Sequence, residues 1–104
     1  MPSVARTGDS VDTGHTCTST TQADTHSSSV FAENKEIHRV GDATLSHTYP
    51  VGDSCPSHIV TLDAYSNPSV YVNDKAIGRN GDWYGNHIIS GGADTVFANG
   101  NEYY

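Results

Sequence analysis

The chain has 104 residues, the length of one domain, and a formal charge of −7. That acidic balance argues against non-specific binding to nucleic acid or to anionic lipid, since both require a basic face. Only 35% of the residues are hydrophobic and no apolar run approaches a membrane span, so the expected core is thin and needs a metal, a disulfide or a partner.

At the start, Met1 to Arg6 has neither a basic cluster nor an apolar stretch, so no secretory signal is expected and synthesis in a cytoplasm follows. Val4-Ala5-Arg6-Thr7-Gly8-Asp9 comes next, then Thr13-Gly14-His15 and Cys17. Thr16 to Thr25 is a polar, Thr-rich lead into Ser29-Val30-Phe31-Ala32-Glu33-Asn34-Lys35-Glu36-Ile37-His38-Arg39-Val40-Gly41-Asp42. The segment Ala43 to Pro56 carries Pro50, Gly52 and Pro56 and reads as an inserted loop. Cys55-Pro56-Ser57-His58 precedes an apolar lead, Ile59 to Leu62. Then Ser69-Val70-Tyr71-Val72-Asn73-Asp74-Lys75-Ala76-Ile77-Gly78-Arg79-Asn80-Gly81-Asp82 repeats the pattern of Ser29 to Asp42. Beyond His87 and Ile88-Ile89-Ser90, Thr95-Val96-Phe97-Ala98-Asn99-Gly100 supplies the first half of the same unit. Its second half is Val4 to Asp9.

Two whole units and one split between the ends of the chain make a threefold repeat. Helical periodicity is nearly absent, whereas short β-branched or aromatic runs alternate with turn residues, which indicates an all-β domain. Glu33-Asn34-Lys35, Asn73-Asp74-Lys75 and Asn99-Gly100 suit tight hairpin turns. Pairing of Val4 to Asp9 with Thr95 to Gly100 would close a ring of three hairpin units and leave no exposed edge. Phe31, Tyr71 and Phe97 then correspond, as do Arg6, Arg39 and Arg79, and Asp9, Asp42 and Asp82. The Arg and Asp of each unit are expected to form a structural pair that locks its turn, with the small energy of an exposed ion pair.

Six histidines are present. His15, His58 and His87 stand where a lead strand begins, and a threefold fold brings such positions together. Three imidazoles with Cys55 as fourth donor suit tetrahedral zinc, and iron is compatible with the same imidazoles. His47 rivals Cys55, because it follows Asp42 by five residues as His87 follows Asp82. Cys17 could replace Cys55 as a ligand or pair with it, although a reducing compartment disfavours a disulfide. His26 and His38 have no repeat partners and read as structural. No Gly-x-Ser-x-Gly and no phosphate-binding loop is present. A Cys55–His58 dyad would need a cleft and an oxyanion hole, for which so small a domain has little room. No enzymatic activity is expected.

In the order and spacing of these motifs, from Val4 to Gly100, the chain resembles the PAAR-repeat proteins, the spike-tip proteins of type VI secretion systems and contractile phage tails. The namesake tetrapeptide stands here as Glu36-Ile37-His38-Arg39 and Ala76-Ile77-Gly78-Arg79, with only the Arg kept in both, and the third unit has His87 where a Cys is usual. The resemblance implies a small conical domain, spanning residues 1–104, whose base caps a trimeric β-helical spike, one tip per trimer, with a metal near the apex. It implies mechanical puncture of a target envelope on sheath contraction, without stable membrane association. The chain ends four residues past its last motif, so no toxin domain is expected, and a phage tail baseplate is favoured over a type VI system. A metal-dependent lytic enzyme and a receptor-binding module are the alternatives.

Overall fold

The computed structural model describes residues 2–66 and 68–98. The expected all-β class holds: the described residues form ten short strands and no helix. These are β1 (Ser10–Asp12), β2 (Thr20–Gln22), β3 (Phe31–Ala32), β4 (Lys35–Glu36), β5 (His47–Thr48), β6 (Ser57–His58), β7 (Tyr71–Val72), β8 (Lys75–Ala76), β9 (Trp83–Tyr84) and β10 (His87–Ile89). Every pairing between them is antiparallel.

Two tight hairpins, β3–β4 and β7–β8, turn through Glu33-Asn34 and Asn73-Asp74. All four turn residues have positive φ, between 52° and 67°, the mirror-image turn whose twist matches the flanking strands. Glu33 is an unusual occupant, and its carboxylate is well used. It accepts bonds from Arg6 Nη1 at 2.7 Å, the Asp94 amide at 3.2 Å and the Thr95 amide at 2.9 Å. The third expected turn, Asn99-Gly100, lies outside the described residues.

The same backbone bonds recur at corresponding residues of three segments. Ile37 donates to the Val30 carbonyl, Ile77 to Val70 and Val4 to Val96, each at 3.0 Å. Correspondingly, Phe31 pairs with Glu36, Tyr71 with Ala76, and Phe97 with Ser3 across the two ends of the chain. The segments also bond to one another in a closed cycle. Bridges join Arg6 to Ile37, Arg39 to Ile77 and Arg79 to Val4. At the centre, the His38 amide donates to the Ala5 carbonyl at 3.0 Å, Ala5 to Gly78 at 2.9 Å, and Gly78 back to His38 at 2.8 Å. Buried backbone groups must find partners, and this ring satisfies three donors and three acceptors without any sheet edge.

Each segment leaves the ring through a turn locked by Arg and Asp. In all three the Arg amide and Nε both donate to Asp Oδ2, and Nη2 donates to Oδ1. These pairs are structural, as expected, but they are not exposed. Arg79 is fully buried and Asp82 nearly so, with the Arg79 guanidinium 3.8 Å over the Tyr65 ring. The thin core covers them because so few bulky apolar residues compete for the interior.

On one side of the ring, Val4, Ala32, Ile37, Val72, Ile77 and Ala98 form a cluster of small aliphatic side chains. On the other, Ala5, Val11, Leu62, Tyr84 and Ile89 form a second. His38, a member of the ring through its backbone, is fully buried. Its Nδ1 donates to the Thr25 carbonyl at 2.7 Å, so Nε2 accepts from the Tyr84 hydroxyl at 2.7 Å. Burial lowers its pKa and raises that of Tyr84, which keeps both neutral. Beside it a Cβ on Gly78 would lie 2.6 Å from the His38 carbonyl oxygen and 3.0 Å from Leu62 Cδ2. Gly78→Ala should therefore destabilise the protein by about 1–3 kcal/mol, the usual range for overpacking, read from the denaturant midpoint.

After each locked turn comes an outgoing hairpin. The first is β1–β2, the second contains β5–β6, and the third is β9–β10. This corrects the expected loop over Ala43 to Pro56. Ala43 bridges Thr61, β5 pairs with β6, and only the tip around Gly52-Asp53 is a turn. The three hairpins adhere laterally: β1 pairs with β10, Ala23 bridges Thr44, and Asp63 donates to the Trp83 carbonyl at 2.9 Å.

Candidate metal centre

The outgoing hairpins deliver four imidazoles to one place. His47 on β5 and His58 on β6 are direct cross-strand partners, so their side chains share a face. His87 opens β10, and His15 comes from the loop joining β1 to β2. One ring nitrogen from each of the four lies within 4.8 Å of the others. His47 and His87 are buried; His15 and His58 are half-buried.

The nitrogens face one another in a way that neutral imidazoles avoid. His47 Nδ1 is 2.9 Å from the Leu45 carbonyl oxygen, which can only accept, so that nitrogen carries the hydrogen. His87 Nδ1 is held likewise, 2.8 Å from Asn86 Oδ1. Both Nε2 atoms therefore present lone pairs, and they stand 3.0 Å apart. His58 Nε2 lies 2.7 Å from His47 Nε2. His15 Nε2 is buried and has no hydrogen-bond partner. Four inward nitrogens, two with their outer nitrogens anchored to acceptors, are the arrangement in which a shared cation replaces mutual repulsion. Tetrahedral zinc at about 2.0 Å from each nitrogen sets ligand atoms roughly 3.3 Å apart, so a small adjustment seats such an ion. The donor set fits a divalent metal.

Of the expected ligands, the structure assembles His15, His58, His87 and His47, and it removes Cys55. Cys55 is bonded to Cys17 in a disulfide with Cα atoms 6.0 Å apart. The reason lies in strand geometry. His58 turns inward, and a residue three positions earlier in extended chain points to the opposite face. Cys55 is accordingly exposed and meets Cys17 on the neighbouring hairpin. Of the two alternatives for Cys17, replacing Cys55 as a ligand or pairing with it, the structure has the pairing, which a reducing compartment would disfavour. His47 was the rival and takes the fourth place, because the β5–β6 register sets it opposite His58.

No protein-family model matches the chain, and no characterised protein matches it.

Around the centre, the Tyr49 ring stacks on His58 with centroids 4.3 Å apart and an interplanar angle of 19°. His15 sits edge-on to His87 at 5.0 Å. Sequence reasoning did not single out Tyr49, and the signal available was only its position two residues beyond His47.

Burial pushes the His87 pKa down to about 4, helped by repulsion from His47, His15 and His58. His58 is lowered for the same reasons, burial first and then His47 and His15. A folded pKa below the unfolded value near ~6.5 means that the unfolded chain binds the extra protons. The neutral imidazole then contributes its full stability above about pH 6.5, and that contribution is lost as the pH falls towards 4. Metal-free protein should show a melting temperature that drops over this window. In metal-loaded protein the ion should be released as the ligands protonate, which a zinc-sensitive dye monitors during acid titration.

Proposed function

We propose that this protein is the tip of a contractile injection spike, a structural monomer that caps a trimeric β-helical shaft and hardens its point. The observation that carries this is the threefold recurrence of bonding, with different chemistry on the two sides of the ring. On the side of the tight hairpins, corresponding positions hold Phe31, Tyr71 and Phe97, which remain 55%, 59% and 49% exposed. Three matched aromatic rings suit a partner that itself has threefold symmetry. On the side of the outgoing hairpins, the four histidines join all three arms through one ion. The motif order that resembles PAAR-repeat proteins supports the same reading.

In this account the ion is structural. Zinc is the first candidate and iron the second, since imidazole serves both. Four protein ligands fill a tetrahedral shell and leave no open position for a substrate or a nucleophilic water, so the proposed role is mechanical rather than catalytic. Pinning three hairpins to one another allows a thin-cored domain to transmit force. The Cys17–Cys55 disulfide suits a protein that works outside a reducing cytoplasm, as a virion component or after secretion. A phage tail baseplate is the preferred setting and a type VI system the other.

The test is capture of the cognate trimeric β-helical spike by purified tip. The expected complex contains one tip per trimer and does not form with an unrelated trimer. The triple substitution Phe31→Ala, Tyr71→Ala and Phe97→Ala should abolish it while metal content stays unchanged. Failure of the wild type to bind, or binding unaffected by the triple substitution, would count against the proposal.

A further inference from the structure

Among the four ligands His15 alone is not on a strand. His47, His58 and His87 are held by β-ladders, whereas His15 sits in the loop 13–19. Within that loop, Thr13 Oγ1 donates to the Thr18 carbonyl and the Thr13 amide donates to Ser19 at 3.0 Å. Those bonds shape the loop but do not fasten it to the second outgoing hairpin. Three links do so: the contact between the Thr18 and Thr48 hydroxyls, the Thr48 amide donating to Thr18 Oγ1 at 3.3 Å, and the disulfide from Cys17 to Cys55, the one covalent tie. Cys17 is two residues from His15, and Cys55 is three from His58. Cys55 is exposed and Cys17 half-buried, so a soluble reductant can reach the bond.

We infer that the Cys17–Cys55 disulfide positions His15 for metal binding, so that the affinity of the four-histidine centre depends on the thiol redox state. The inference rests on the metal reading above. Two molecules of a small thiol suffice for the switch. The Cys17–Cys55 bond breaks, each sulfur leaves as a thiol with one added proton and electron, and the two reductant sulfurs become joined. The loop then keeps the two Thr18–Thr48 hydrogen bonds and the ring contacts of His15 with His47, His58 and Tyr49 but no covalent tie, His15 becomes more mobile, and the ion is left with three firmly held imidazoles. Cys17 and Cys55 thus act through His15 and are positioning residues. Loss of such orienting partners weakens metal binding by about 10–100-fold.

The experiment measures Co²⁺ and Zn²⁺ affinity by competition with a chelator in three forms of the full chain. These are the oxidised protein, the protein reduced with a phosphine, and the Cys17→Ser/Cys55→Ser variant. The expected result is tight binding in the first and binding about 10–100-fold weaker in the other two. The visible Co²⁺ spectrum should lose tetrahedral intensity as water replaces His15. Adding His15→Ala should weaken the oxidised protein strongly and the double-serine variant hardly at all, because the two changes remove one interaction. Equal affinity in all three forms would overturn the inference while leaving the metal centre intact. Tighter binding on reduction, with a thiolate-to-cobalt absorption band, would overturn it too, since a cysteine would then have become a ligand. No binding by the oxidised protein would overturn both. Should the double-serine variant not fold, zinc release from freshly reduced holoprotein decides: release faster than from oxidised holoprotein supports the inference, and an unchanged rate overturns it.

Discussion

Replacing His47 with alanine should cost the protein its metal and much of its resistance to heat. His47 is the hub of the cluster: its Nε2 is 2.7 Å from that of His58 and 3.0 Å from that of His87. Structural zinc sites contribute about 10–16 kcal/mol of apparent binding free energy, so an even share among four ligands is about 2.5–4 kcal/mol. The expected loss of affinity is therefore roughly 10²–10³-fold. Because an ion held by all four histidines would join three hairpins, the melting temperature of zinc-loaded protein should fall with it. His26→Ala, which alters an exposed histidine outside the cluster, should change neither property. Metal analysis and a thermal melt of the two variants beside wild type provide the check.

The second large effect is expected at Asp82. Its carboxylate accepts from the Arg79 amide at 2.9 Å, Nε at 3.2 Å and Nη2 at 2.9 Å, and both residues are buried. Asp82→Ala removes a buried carboxylate that accepts three bonds from Arg79, a change that costs about 3–5 kcal/mol in comparable buried pairs. Against a total of about 5–15 kcal/mol for a small domain, this brings the protein near unfolding. The corresponding Asp42→Ala should cost less. Arg39 lies nearer the surface, and it keeps bonds to the His26 carbonyl at 3.1 Å and to Asn73 at 3.4 Å. Urea denaturation of the two variants tests the order, and equal losses would contradict it.

How much of this was legible in the sequence follows from how local each interaction is. The Arg-x-Gly-Asp turns were readable because their bonds span three residues and recur in three places. The hairpin turns were readable because Asn and Asp tolerate positive φ. Burial of the Arg–Asp pairs was not, since it depends on how three segments meet around the ring. The outgoing hairpins were hidden for another reason. Val11 and Ile89 mark β1 and β10, but the inward positions of β2 and of the second outgoing hairpin are filled by Thr21, Thr44 and His47 rather than by aliphatic residues, so there the alternation that marks a strand is absent from the hydrophobic pattern.

The candidate metal centre was half legible. Three of its ligands stood out by their positions in the repeat, whereas the fourth depended on register. A Cys-x-x-His spacing reads as a ligand pair when the chain is a turn. Here His58 lies on a strand, and extended chain turns Cys55 away from it. The same geometry that removes the thiol from the cluster supplies the disulfide beside it. The outcome is an all-nitrogen donor set drawn from three hairpins, flanked by a covalent staple between the first and the second.

The most direct measurement of this account is native mass spectrometry of the oxidised protein titrated with zinc. The account predicts a single step, one zinc ion per chain, with the His15→Ala, His47→Ala, His58→Ala and His87→Ala variants each failing to hold it at the same concentration. A wild-type chain that remains metal-free in excess zinc, or four variants that all retain the ion, would contradict it.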